Sequence, residues 1–257
     1  MPVPTALVVQ NDPDEPAARL GDWLVDAGLS LRTVTPYDGS MLPGTLEGYD
    51  ALVVLAGGMS VNSGPTVAWF PPLRALFRQA VSAGLPTLAI CLGAQLLADA
   101  LGGRVAPGDA GPEIGPALVA KRDLAARDPL FGPVPFTPDV VQWHREGITE
   151  LPPGAVLLAS SPKYSNQAFR IGPAAYGLVF HIETTPDLVR RWAAKDVDEL
   201  DRFGVQRERL LARLDEAHAD VEDVWRPFTR RFVDSIRSYQ QERTATADRP
   251  PGGVGAA

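Results

Sequence analysis

Apolar and polar positions change their period twice along the chain. Residues 6–9, Ala-Leu-Val-Val, form a short unbroken apolar run of the kind a strand buried on both faces shows. Past the acidic stretch Asp12 to Glu15, Ala17, Leu20, Trp23, Leu24 and Ala27 recur at helical spacing, and Gly28 closes that helix. Strands are predicted over 29–34 and 49–55, the second running into the turn at Gly57 and Gly58. A helix over 69–83 places Leu73, Leu76, Phe77 and Ala80 on one face before Gly84 stops it. Residues 88–90 then form a strand without polar alternation, as a central parallel strand requires, and it ends at Cys91. Strands alternating with helices imply right-handed crossovers and a parallel sheet, with ligands expected beyond the carboxyl ends of the strands.

From Gly102 the period changes to short strands between Pro and Gly, predicted over 117–120, 140–143, 156–160, 167–171 and 176–180. These read as mostly antiparallel additions on the edge of the sheet. After Pro186 the pattern becomes helical and charged, with Leu188, Val189 and Trp192, then Leu210, Leu211, Leu214, Val221, Val224 and Trp225 at three-to-four spacing. Alternating charge over 207–213 and 216–222 marks a solvated helix face, on which His218 reads as a surface residue. The Pro/Gly-rich end, 244–257, reads as disordered. The fold class is therefore α/β: an open, mostly parallel central sheet with flanking helices, antiparallel edge strands and a C-terminal helical extension. The expected organisation is a main domain over 1–186, a charged helical extension over 187–243 and a tail over 244–257.

Composition narrows the chemistry. With 257 residues, 45% hydrophobic and 21% charged, the chain can bury an ordinary globular core. It has no apolar run of the roughly 18 to 20 residues that span a bilayer, and its first residues are acidic and Pro-broken where a signal peptide is basic then apolar, so a cytoplasmic protein without membrane contact is expected. A net charge of −7 and no basic cluster argue against nucleic acid. The single cysteine can form neither an internal disulfide nor a multi-Cys zinc cage. No metal or cofactor is expected.

Cys91 lies between an apolar strand and an amphipathic helix, with small residues at Ala89 and Gly93. A nucleophile elbow needs small neighbours because its turn presses the backbone against adjacent strands. At a helix N-terminus the dipole favours thiolate, and the free N–H groups can stabilise an oxyanion. A lone buried cysteine is more often a small hydrophobe, and the strand-Cys-x-Gly-helix context is what separates this one. A thiolate nucleophile needs an imidazole, and the imidazole a carboxylate. His181 ends an apolar strand with Glu183 two residues on, so in extended chain both side chains share a face. His144, near Glu146 at another strand end, is the rival base. Gly57 and Gly58, one βα unit before the elbow, can supply a further oxyanion N–H.

Taken together, these blocks resemble the class I, triad-type glutamine amidotransferases, over residues 5–186. Ala89-Ile90-Cys91-Leu92-Gly93-Ala94-Gln95 is similar to the family's G-x-C-x-G-x-Q elbow, Gly57-Gly58-Met59-Ser60 to its oxyanion loop and Phe180-His181-Ile182-Glu183 to its F-H-P-E block. Gln142-Trp143-His144-Arg145-Glu146 and the stretches around Ser160 and Gln167 resemble free-standing members related to the GMP synthetase amidotransferase domain. The resemblance implies a flavodoxin-like fold, Cys91 as nucleophile, His181 as base and acid, and Glu183 as the orienting carboxylate. It also implies oxyanion donors at Gly58 and Leu92, and substrate contacts from Gln95 and the backbone around Arg145 and Glu146. Ala89 stands where the family has Gly, Ile182 where it has Pro, Val179 where Gln is frequent and Arg145-Glu146 where Gly-Asp is usual.

The implied activity is release of ammonia from glutamine through a cysteine thioester. With no G-x-x-x-x-G-K-[ST] phosphate loop in the chain, a separate ammonia-accepting synthetase is the expected partner. The altered loop at Arg145 and Glu146 leaves open a stand-alone hydrolase of γ-glutamyl amides or peptides using the same three residues, and a non-enzymatic interaction protein is the third alternative.

Overall fold

β1 (Thr5–Val9), α1 (Ala18–Asp26), β2 (Ser30–Val34), β3 (Ala51–Val54), α2 (Phe70–Ala83), β4 (Thr87–Ile90) and α3 (Leu92–Ala100) follow one another as the alternating pattern predicts. The structure, a computed structural model, describes residues 2–63, 66–108 and 110–247. β1 sends Ala6 and Val8 into one apolar cluster and Leu7 and Val9 into another, and β3 divides its residues in the same way. Because a pleated strand alternates its side chains, a sheet covered on both sides produces the unbroken apolar runs seen in the sequence. α2 and α3 cover one side, while α1 and the C-terminal helices cover the other. Gly84 ends α2 with φ of 66°, a left-handed conformation that glycine adopts without steric cost.

The second half contributes β5 (Arg104–Pro107), β6 (Glu113–Leu118), β7 (Ala120–Lys121), β8 (Asp139–His144), β9 (Glu146–Glu150), β10 (Val156–Ser160), β11 (Ala168–Ile171) and β12 (Ala175–Leu178). The main sheet has the order β2-β1-β3-β4-β12-β11-β10-β7, parallel from β2 to β12 and antiparallel beyond. β12 therefore lies in the interior beside β4, its Leu178 in register with Ile90. This neighbour relation places the residues after β12 next to the residues after β4.

Not all the short strands are edge additions. β6 pairs with β8, and β5 with β9, in two separate two-stranded sheets. Alternation specifies that a strand exists but not which partner it takes. The single strand predicted over 117–120 is the end of β6 and the start of β7, broken where the Val119 N–H donates to the Pro138 carbonyl. β5 and β9 escape the pattern because they carry Pro107, Gly147 and charged ends.

The C-terminal segment forms α4 (Pro186–Lys195), α5 (Val197–Arg202) and α6 (Arg207–Ala247). Thr185 caps α4 by accepting from the Leu188 N–H. α6 packs against α1, α4, β6 and β8, and buries Leu214, Val221, Trp225, Phe228, Phe232 and Ile236 completely. Phe131, Tyr176 and Phe180 meet Trp225 or Phe228 in an aromatic cluster that joins the helix to the sheet. The alternating charges thus occupy one side of a helix whose other side is core. His218 is on the core side, contrary to its surface reading: it is buried, with Nδ1 2.6 Å from the Leu214 carbonyl and Nε2 3.3 Å from Thr184 Oγ1. Residues 244–247, expected in the tail, continue the helix, and 248–257 lie outside the described residues.

Candidate active site

β4 is fully buried, and the chain turns sharply from it into α3 at Cys91, whose φ of 46° and ψ of −106° are rare for a residue with a side chain. The turn is held from both sides: the Cys91 N–H donates to the Leu178 carbonyl at 2.7 Å and the Cys91 carbonyl accepts from the Gln95 N–H at 2.9 Å. Gly93 is needed here, since a Cβ at this position would lie 2.4 Å from the Val54 carbonyl oxygen on β3. Ala89, where the resembled family has Gly, sits in register with Val54 and Gly177 and is wholly buried. Gly93→Ala is expected to cost about 1–3 kcal/mol and to displace the elbow, because the clash is with backbone. Thermal denaturation together with turnover checks this, and an unchanged melting temperature and rate would contradict it.

Three residues beyond Leu178, His181 bridges across to β8, its N–H donating to the Val141 carbonyl at 2.8 Å. Its ring is buried, with Nδ1 2.6 Å from Glu183 Oε1. Glu183 is buried too and is steadied by the Ile182 N–H, which donates to Oε2 at 2.9 Å. Burial opposes protonation of His181, but the negative charge of Glu183, helped by Cys91, outweighs it and holds the imidazole pKa well above its ordinary value. The other ring nitrogen, Nε2, makes no well-aligned hydrogen bond within the described residues. An imidazole oriented through one nitrogen and free at the other, beside a thiol, can shuttle a proton.

His144 is placed differently. It also lines the cavity, yet its Nδ1 lies 3.0 Å from the Glu146 carbonyl and its Nε2 3.1 Å from Glu113 Oε2. Glu113 in turn accepts from Ser161 Oγ and Gln167 Nε2. Burial acts to raise the Glu113 pKa, but these bonds and His144 prevail and lower it. With both nitrogens engaged, His144 shapes the wall of the site rather than presenting a free base.

The expected substrate contacts gather at one place. Gln95 Nε2 donates to the Glu146 carbonyl at 3.0 Å, and the Glu146 carboxylate accepts from Ser60 Oγ at 2.8 Å. The Arg145 side chain pairs with Glu199 on α5, while its carbonyl accepts from the Tyr164 hydroxyl. Gly57 leaves room for Leu92, whose Cδ2 would stand 2.8 Å from a Cβ there. The Gly58 N–H donates to Asp12 Oδ2 at 3.3 Å, so a substrate oxyanion at this donor must displace a carboxylate.

A cavity of about 670 Å³ opens over these groups, lined by Gly57, Gly58, Cys91, Gln95, Arg145, Glu146 and His181. It extends past them to Ile114, Trp143, Trp192 and Asp196, and its near wall is Asp12, Asp14 and Glu15. In the sequence the acidic run stands only as the stretch ahead of the first helix. The helix begins only at Ala18, which leaves the run as a loop at the carboxyl end of β1, the same end of the sheet as the elbow. That position was the available signal. Glu15 matters most: one of its oxygens, together with donor atoms of His181 and Glu183, falls in a set lying within 4.8 Å of one another. Burial foremost pushes its pKa up to about 8, with Glu183, Asp12 and Asp14 adding and His181 opposing.

The family model for glutamine amidotransferase class-I matches residues 22–192. The glutamine amidotransferase-like protein YfeJ of Salmonella typhimurium is 30% identical over 212 residues, 80% of this chain and 87% of that one. The glutamine-hydrolyzing GMP synthase of Thermomicrobium roseum is 39% identical over 126 residues, 49% of this chain and 23% of its own. The chain thus spans about a quarter of the length of that relative. Gamma-glutamyl peptidase 4 of Arabidopsis thaliana is 28% identical over 146 residues, 56% of this chain and 57% of its own. Among solved structures, a glutamine amidotransferase from Thermotoga maritima superposes with a TM-score of 0.81 at 28% identity, covering 91% of this chain and all of that one. Among the described residues, no helix is long and apolar enough to cross a membrane.

Proposed function

The chain belongs to the class I glutamine amidotransferase family, which has glutamine-hydrolysing members, and on that premise we propose that it hydrolyses the side-chain amide of glutamine through a thioester on Cys91. The observation that carries this reading is the buried His181–Glu183 pair, oriented through Nδ1 and open at Nε2, beside a cysteine held in a strained elbow. The thiolate adds to the δ-carbonyl carbon, and the oxyanion is received by the N–H groups of Leu92 and Gly58 once Asp12 is displaced. His181 donates its proton to the nitrogen as the C–N bond breaks, releasing ammonia and leaving a γ-glutamyl thioester. Water then adds to the thioester and gives its proton to His181. Glutamate departs and the thiolate is restored.

Gln95 and the 145–146 backbone hold the amino-acid end of the substrate. Ammonia is a poor end product, so an ammonia-accepting synthetase is the partner this reading implies, as the likeness to glutamine-hydrolyzing GMP synthase supports. A second reading, a stand-alone γ-glutamyl amide hydrolase, uses the same chemistry with an amine as leaving group. The extent of the cavity favours it: about 670 Å³ is the size of a site for a ligand well beyond a single amino acid. Ammonia release from glutamine and amine release from γ-glutamyl amides, each against Cys91→Ala, test both. Loss of at least about a thousandfold is expected in the variant. Equal rates with and without Cys91 would remove the proposal.

A further inference from the structure

We propose that the cavity selects γ-glutamyl amides whose leaving amine carries a second positive charge, received by the Glu15 carboxyl and the rings of Trp143 and Trp192. This rests on the reading of Cys91 as the nucleophile for γ-glutamyl amides. Glutamine itself, which loses only ammonia, has no group to place there.

The wall is electrostatically lopsided. Of its two full-time cations, Lys195 pairs with Asp14 and Arg145 pairs with Glu199. Among the described residues the remaining carboxylates accept hydrogen bonds from neutral donors, Asp12 from the Gly58 N–H, Glu146 from Ser60 and Asp196 from the Trp143 indole N–H, and share the charge of Lys195 only at longer range. Glu15 has less still. Its Oε2 is buried, finds no hydrogen-bond partner among the described residues, and lies in the lining of the cavity. A buried carboxyl oxygen without a partner is costly, and a donor from a ligand would satisfy it.

The aromatic half of the subsite is fixed in place. The Trp143 and Trp192 rings are 5.6 Å apart, anchored by indole N–H bonds to Asp196 and to the Asp14 carbonyl. Trp192 also lies 5.0 Å from His181, the group that protonates the leaving nitrogen. Aromatic rings beside carboxylates suit an ammonium and repel a carboxylate. In the free site Glu15 keeps its proton near neutrality, surrounded by Asp12, Asp14, Glu183 and His181. An ammonium beside it favours the ionised form, so binding at neutral pH releases a proton into the buffer.

The test compares mono-γ-glutamyl amides of three amines of four carbons each: putrescine, cationic; butylamine, neutral; and γ-aminobutyrate, anionic. For the full chain, kcat/KM is expected to be roughly tenfold to a hundredfold higher for the putrescine amide than for the butylamine amide, the range of one charge-assisted hydrogen bond. The anionic amide is expected to be slowest. Glu15→Gln is expected to lower the cationic-to-neutral ratio roughly tenfold, leaving the smaller preference that the two rings supply. Titration calorimetry of the putrescine amide into Cys91→Ala in buffers of different ionisation heat is expected to show proton release, lost when Glu15→Gln is added. Hydrolysis of all three amides without preference, or faster turnover of the anionic one, overturns the selectivity and leaves the γ-glutamyl hydrolase reading standing. A preference undiminished by Glu15→Gln overturns the part given to Glu15. Failure to hydrolyse any of the three, with no binding to Cys91→Ala, overturns the hydrolase reading and this inference with it. The wild-type comparison alone decides the selectivity, whatever the fold of the variant.

Discussion

Exchanging His181 for alanine is expected to lower kcat/KM by about a thousandfold to a millionfold, the range seen when one member of a nucleophile–base unit is removed. The same exchange at His144 is expected to cost about tenfold to a hundredfold, as for a residue that supports others. The two histidines end strands of similar character, and their surroundings separate them. His144 spends both nitrogens on Glu113 and the Glu146 carbonyl, whereas His181 spends one on Glu183 and, among the described residues, has only Cys91 to interact with at the other. Glu183→Gln, which leaves the shape and removes the charge, is expected to lower the rate by up to about ten-thousandfold. It also has a pH signature. Glu183 raises the His181 pKa, so its removal lowers that pKa, and the protonated imidazole is lost at a lower pH. The alkaline limb of the pH–rate profile therefore moves to more acidic pH. Equal losses at His144 and His181, or an unmoved limb, would contradict these assignments.

Ending the chain at Gln206 is expected to abolish folding. The truncation removes α6 and with it the completely buried Trp225, Phe228 and Phe232. Truncating one such aromatic side chain typically costs about 3–5 kcal/mol, and three together are as large as the roughly 5–15 kcal/mol by which a domain is stable. The loss also uncovers Phe131, Tyr176 and Phe180 on the sheet side of the cluster. Circular dichroism and a cooperative thermal melt are the readouts. A truncated chain that melts cooperatively near the full-length temperature would show α6 to be an appendage.

The legible part of the fold was the part with strict periodicity. β1, β3 and β4 are buried on both faces, so their sequences are apolar throughout and could be read as central parallel strands. The elbow was legible because small residues must flank it, and Gly93 shows why: no Cβ fits against Val54. The partners of the later strands were not legible. Nothing in 113–118 says that it pairs with β8 rather than joining the main sheet, because pairing is decided by tertiary contact. In α6 the apolar positions at three-to-four spacing were legible as one buried side of a helix whose other side is charged. Charge did mislead the reading of His218, which stands among ionic residues in sequence yet falls on the buried side. Glu15 was missed because an acidic residue before a helix has an ordinary explanation, and its burial against His181 arises only once β1 and β12 lie in one sheet.

The most direct measurement is the site of covalent trapping by an electrophilic glutamine analogue, read by peptide mass spectrometry. Cys91 is the only cysteine in the chain, so the modified peptide is unambiguous. The expected result is one adduct on Cys91, formed in step with loss of activity, slowed by excess glutamine or γ-glutamyl amide, and much slower in His181→Ala. Amide hydrolysis that persists while Cys91 is fully modified, or an adduct that forms on another residue as activity disappears, would contradict the assignment of Cys91 as the nucleophile.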